Sequence, residues 1–124
     1  MARRIKITVG GVSATAELSD GSMADLIWEA CPISSIAKTW GDEIYFDTPI
    51  LSEGENLQAT VEFGDLAYWP PGQAFCIFFG PTPMSTGTEI RPASPVSVFG
   101  RVEGDAAVFK PVRGGAPITV EQEP

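Results

Sequence analysis

The stretch Gly64-Asp65-Leu66-Ala67-Tyr68-Trp69-Pro70-Pro71-Gly72-Gln73-Ala74-Phe75-Cys76-Ile77-Phe78-Phe79 decides the fold. Residues 66–69 read as a short strand. Pro70-Pro71-Gly72 then forces a turn, with Gly72 available for a positive φ. Residues 74–79 are apolar at every position, so this second strand is buried on both faces or covered by an inserted loop. Two short strands joined by a tight turn point to a β architecture.

Working outward, the same punctuation recurs. Ile5, Ile7 and Val9 alternate with polar residues, Gly10-Gly11 turns the chain, and Val12, Ala14, Ala16 and Leu18 resume the alternation: a β-hairpin. Ser22 and Asp25 give an S-x-x-D helix start. Met23, Leu26, Ile27 and Ala30 follow at one-face helical spacing, and Pro32 ends the helix. Residues 33–40 and 43–48 read as a second hairpin around Gly41-Asp42. Leu57, Ala59, Val61 and Phe63 alternate as a further strand.

Residues 80–95, broken by Pro81, Pro83, Pro92 and Pro95, form a long irregular loop, a feature often tied to function. Val96, Val98 and Arg101-Val102 make another strand. Residues 105–110 read as one helical turn, with a hairpin the alternative, and residues 117–122 as a closing strand. The fold class is therefore mainly β: about eight short strands, one main helix and one short helix, in a closed barrel or a sandwich. The 124 residues suit one domain, 1–124, with no repeat or linker.

Composition narrows the chemistry. Net charge is −8 and the few Lys and Arg are scattered, which argues against nucleic acid and anionic membrane as partners. Glu121 and Glu123 read as a solvated tail. No targeting segment or membrane-length apolar run is visible, so the cytoplasm is the expected location. Cys31 and Cys76 form neither a CxxC motif nor a disulfide framework. Histidine is absent from the chain, which removes Ser-His-Asp and Cys-His catalysis and histidine-rich zinc sites. No metal or cofactor is expected.

Three blocks carry a resemblance. Thr39-Trp40-Gly41-Asp42-Glu43-Ile44-Tyr45-Phe46, followed by Thr48-Pro49, is the first. The opening stretch from Gly64 to Gly72, with Phe78-Phe79-Gly80-Pro81-Thr82-Pro83-Met84-Ser85, is the second, and Arg91-Pro92-Ala93-Ser94-Pro95-Val96 the third. Together they resemble the small prokaryotic cyclophilin-like domain proteins, over nearly the whole chain. That resemblance implies a closed cyclophilin-like β-barrel of about eight strands with helical caps. True cyclophilins are peptidyl-prolyl isomerases with an arginine-containing phenylalanine motif, a Gln-Gly-Gly ending, a histidine and a tryptophan. That motif is missing here, so no catalytic residue transfers.

The candidate ligand-binding set is Tyr68, Trp69, Gln73, Phe78 and Arg91. Trp40, Tyr45 and Phe46 join them if the second hairpin packs alongside. An aromatic-lined groove suits a small molecule or a proline-containing peptide. The competing reading is that Phe75, Phe78 and Phe79 fill the barrel. Trp69, at a surface turn, suits a site as well as a core. Arg91 could hold a ligand carboxylate or pair with a surface acid. Asp42-Glu43, at a hairpin turn, reads as solvated. The expected function is binding; the alternatives are an isomerase-like enzyme and a partner-binding subunit.

Overall fold

In a computed structural model, residues 3–123 are described. Met1 and Ala2, which opened the segment read for targeting, lie outside them, as does Pro124. Nine strands form one antiparallel sheet: β1 (Arg3–Val9), β2 (Val12–Leu18), β3 (Ile33–Ile36), β4 (Lys38–Thr39), β5 (Glu43–Asp47), β6 (Asp65–Trp69), β7 (Ala74–Phe78), β8 (Ser97–Val102) and β9 (Pro117–Glu123). Their order is β3-β9-β1-β2-β8-β6-β7-β5-β4.

The two edges of this sheet are consecutive in the chain. β3 pairs with β9, β4 pairs with β5, and the buried Ala37 alone separates them. Ala37 donates to Ala116 at 2.8 Å and accepts from Gly115 at 2.8 Å. β3 also packs against β5. The sheet is thus nearly closed into a barrel, a closure that removes most exposed strand edge.

Alternation sorts the side chains. Ile5, Ile7, Val9, Ile44, Phe46, Leu66, Tyr68, Phe75, Ile77 and Phe99 point into the barrel core. Phe46 stacks on Phe75 at 4.8 Å between centroids, and Phe99 meets Phe75 edge-on at 5.0 Å. The helix α1 (Ser22–Ala30) inserts Met23, Ala24 and Ile27 into this core. Residues 106–109 form a short 3-10 turn, capped by Asp105, whose side chain accepts from the Ala107 N–H at 2.9 Å.

A second apolar cluster lies on the outer face. Ala67, Ala74, Cys76 and Phe78 are covered there by Val61, Ile90 and Val96. The last three come from the loops at 48–64 and 80–96, anchored by isolated bridges Gln58↔Val96 and Val61↔Ile90. This is why residues 74–78 are buried on both faces. Each covered aliphatic side chain stabilises by about 2 kcal/mol and each typical hydrogen bond by about 1 kcal/mol, so packing and hydrogen bonds together hold the loops down.

Five sequence expectations change. Residues 33–40 do not form one arm of a hairpin: most of that arm pairs with β9 instead, and only Lys38 and Thr39 reach β5. Residues 57–63 are not a strand; Leu57 and Phe63 are half exposed, and only the Val61 side chain of that alternation is buried. The helix is capped from a distance: Gly21 is its N-cap and the Glu55 carboxylate accepts from the Met23 N–H at 3.0 Å. Leu26 faces outward. Glu121 and Glu123 are not a tail, because β9 carries them opposite Lys6 and Arg4 of β1.

Candidate functional site

The site begins with the hairpin tip at 40–43. Trp40 donates to the Glu43 carbonyl at 2.9 Å, closing a two-residue turn whose Gly41 has φ 61°. That tip is tied to the segment after β7. Asp42 donates to the Pro81 carbonyl at 2.9 Å, and Phe79 donates to the Asp42 carbonyl at 3.0 Å. A Cβ on Gly41 would fall 2.9 Å from Pro81 O and Thr82 Cα, so only glycine allows this approach.

The roof is the 80–96 segment. Its irregular backbone is tied by two hydroxyls. Ser85 Oγ accepts from the Thr82 and Arg91 N–H groups, both at 3.0 Å. Thr82 Oγ1 donates to the Arg91 carbonyl and accepts from the Met84 N–H. The loop therefore returns along itself and lays Pro92 and Ala93 over the sheet. Trp69 closes the opposite side. Its indole N–H donates to Ser94 Oγ at 2.6 Å, and its ring covers Gly72, where a Cβ would meet ring carbons at 2.6 Å.

Between roof and sheet lies a cavity of about 280 Å³, lined by Trp40, Glu43, Tyr45, Trp69, Cys76, Pro92, Ala93 and Val96. Its lining is aromatic and apolar apart from one carboxyl. Glu43 is only 5% exposed. Burial pushes its carboxyl up to about 7, a rise that the neighbouring Cys76 thiol opposes. Burial pushes the Cys76 thiol well above its ordinary range, and the neighbouring Glu43 charge adds to that. None of the ion pairs among the described residues engages Glu43.

The five sequence candidates separate in space. Trp69 lines the cavity. Tyr68, its neighbour, points into the barrel core, where its hydroxyl donates to the Ile50 carbonyl at 2.8 Å. Phe78 is fully buried in the outer cluster, outside the cavity lining. Gln73 sits exposed on the turn after β6 with φ 50°, the left-handed conformation expected of Gly72. Its carbonyl accepts from Thr48 N–H at 3.0 Å and Thr48 Oγ1 at 2.9 Å. Arg91 pairs with Glu89 at 2.7 Å and is not part of the lining, although the two residues after it are. Trp69 and Arg91 thus do not share this cavity.

Trp40 and Tyr45 do join Trp69; Phe46 faces the core. Glu43 was read as solvated and is instead buried, because its side chain faces the cavity that Pro92, Ala93 and Val96 cover. Alternation correctly sends Glu43 and Tyr45 to the outer face, but here the outer face is covered.

Among the described residues no trio of His, Cys, Asp or Glu is placed to hold a metal, and no helix is long and apolar enough to cross a membrane. The profile of the cyclophilin-like family matches residues 3–121. The chain belongs to that cyclophilin-like family. This cyclophilin-like chain also matches the solution structure of the hypothetical protein AF2241 from Archaeoglobus fulgidus. The TM-score is 0.85 at 41% identity, covering 98% of this chain and 95% of that one. No curated protein matches.

Proposed function

We propose that this cyclophilin-like domain is a binding module whose ligand is a small molecule, or a residue of a proline-containing peptide, held beside Trp40, Tyr45 and Trp69. The observation that carries this is the roofed cavity of about 280 Å³, built from aromatic and proline side chains around a single buried carboxyl. Ligand sites combine an apolar lining with a few placed polar groups, and their volumes start near roughly 300 Å³. The volume suits a small metabolite, or one proline side chain of a peptide.

An isomerase would need, beside the apolar pocket, a donor aimed at the prolyl nitrogen. Arg91, the cation read from the sequence as able to hold a carboxylate or polarise a carbonyl, is paired with Glu89 outside the lining. Binding is therefore the reading the geometry favours.

Tryptophan fluorescence tests it. Trp40 and Trp69 line the cavity, whereas Trp28 sits on α1 under the Arg3 guanidinium, 5.6 Å from its ring, and serves as an internal reference. Titration with small metabolites and proline-containing peptides should quench or shift the emission. A Trp40→Phe, Trp69→Phe double variant should lose that response. A flat response from the unaltered protein across the library would reject the reading.

A further inference from the structure

We infer, resting on the reading that this cavity binds a ligand, that the ligand is an organic cation: an amine or quaternary ammonium group enclosed by Trp40, Tyr45 and Trp69 beside the Glu43 carboxylate. Three aromatic side chains and one acid are the parts from which cationic ligands are recognised, because the ring quadrupole and the carboxylate both attract positive charge. The lining contains all four and carries no Lys or Arg.

Glu43 is the deciding residue. A carboxyl only 5% exposed, beside a thiol and without an ion-pair partner among the described residues, is costly for a binding site to retain unless an occupant supplies the countercharge. Lys38 lies over the ring of the lining residue Tyr45, at 5.8 Å. It pairs with Asp47 at 3.6 Å and lies outside the lining. Asp42, next to Glu43 in the chain, is already paired with Lys110 at 3.6 Å. The other titratable groups on the cavity are Cys76, whose thiol burial keeps protonated, and Tyr45. An anionic ligand would meet Glu43 with no Lys or Arg in the lining to compensate. A cation meets it as a partner, and the acidic surface of the whole chain, net charge −8, favours its approach.

The test compares two probes of one shape. Choline carries the charge; dimethylbutanol, its isostere with carbon in place of nitrogen, does not. Both are titrated into the full chain by tryptophan fluorescence and calorimetry. Choline should bind at least ~tenfold tighter than the isostere, as cation–π and ion-pair contacts of this kind predict. Glu43→Gln should bring the two within roughly threefold, with thermal unfolding confirming that the variant is folded. Trp69→Ala should weaken choline.

If the isostere binds the unaltered protein as tightly as choline, the cavity is a ligand site but the cation assignment is wrong. If choline binds yet neither substitution changes it, the charge is held elsewhere and the inference fails. If neither probe binds and the metabolite library is also silent, the cavity reading falls with it.

Discussion

Glu43 and Cys76 stand one diagonal apart on the covered outer face of the barrel. β5 and β7 pair Tyr45 with Cys76 and Glu43 with Phe78, so the acid and the thiol are diagonal neighbours across the ladder. Their ionisations oppose each other in a desolvated space. The carboxyl is raised to about 7 chiefly by burial, and the thiol is raised further by the same burial and by the carboxylate beside it. A proton therefore stays in this pair across conditions where isolated surface groups would have lost one.

The first prediction concerns stability against pH. Glu43 rises from 4.5 to about 7 on folding, so between those values the folded chain binds a proton that the unfolded chain releases. Its contribution is fully present below the unfolded value and is lost as pH rises through the folded one. Glu43→Gln, neutral throughout, should gain stability relative to the unaltered protein across that window, reaching on the order of 3 kcal/mol above it. Glu55 and Glu89, whose carboxyls hydrogen bonds hold below the usual range, act in the opposite sense at lower pH and cancel in the comparison. Urea unfolding of both proteins at several pH values measures the difference; parallel curves would show that Glu43 does not titrate in this range.

The second concerns the thiols. Cys76 is 1% exposed, and burial raises Cys31 to about 11. Thiolate, not thiol, is the reactive form, so both cysteines should alkylate slowly in the native protein and fast after unfolding. Peptide mapping after a short iodoacetamide pulse at neutral pH gives the ratio. Rapid native labelling of Cys76 would contradict the arrangement around Glu43.

The barrel was readable because its strands alternate and its turns carry Gly and Pro at the required places. Ile5-Lys6-Ile7 and Val12 to Leu18 announce the first hairpin, and the unbroken apolar run at 74–79 announces a strand covered on both sides. What covers it was not readable. Leu57, Ala59, Val61 and Phe63 alternate as a strand would, yet the segment docks through Val61 and two isolated bridges, a choice made by the tertiary surface rather than by local pattern. Glu43 escaped for the same reason. Its face follows from alternation, but its burial depends on Pro92, Ala93 and Val96, far along the chain, covering that face. Trp69 alone of the five candidates lines the cavity, because its turn sets it beside Ser94 of the returning loop.

A third prediction separates Tyr68 from Trp69. The Tyr68 hydroxyl is buried and its partner is the Ile50 carbonyl, so Tyr68→Phe removes one hydrogen bond and leaves an acceptor unsatisfied. The cost should be about 1–2 kcal/mol of stability. Ligand affinity should be unaltered, since the ring points into the barrel. A large loss of binding with unchanged stability would place Tyr68 in the site after all.

The last prediction turns on Gly72. It was expected to supply a positive φ, but Gln73 takes the left-handed conformation instead. What glycine supplies at position 72 is room: a Cβ there would lie 2.6 Å from the Trp69 ring. That clash is with an indole fixed by Ser94 on one side and by the sheet on the other, so it is relieved only by moving the ring. Gly72→Ala should therefore cost about 1–3 kcal/mol of stability, as overpacking does. It should also shift Trp69 emission and weaken cavity binding, because the displaced indole is part of the lining. Gly11 is the control. A Cβ at that position meets nothing within 4 Å, and its φ is not in the positive range, so Gly11→Ala should leave emission and binding unaltered. If the two alanine variants bind alike and fluoresce alike, the Trp69 ring is not held over Gly72, and the wall of the cavity has been drawn in the wrong place.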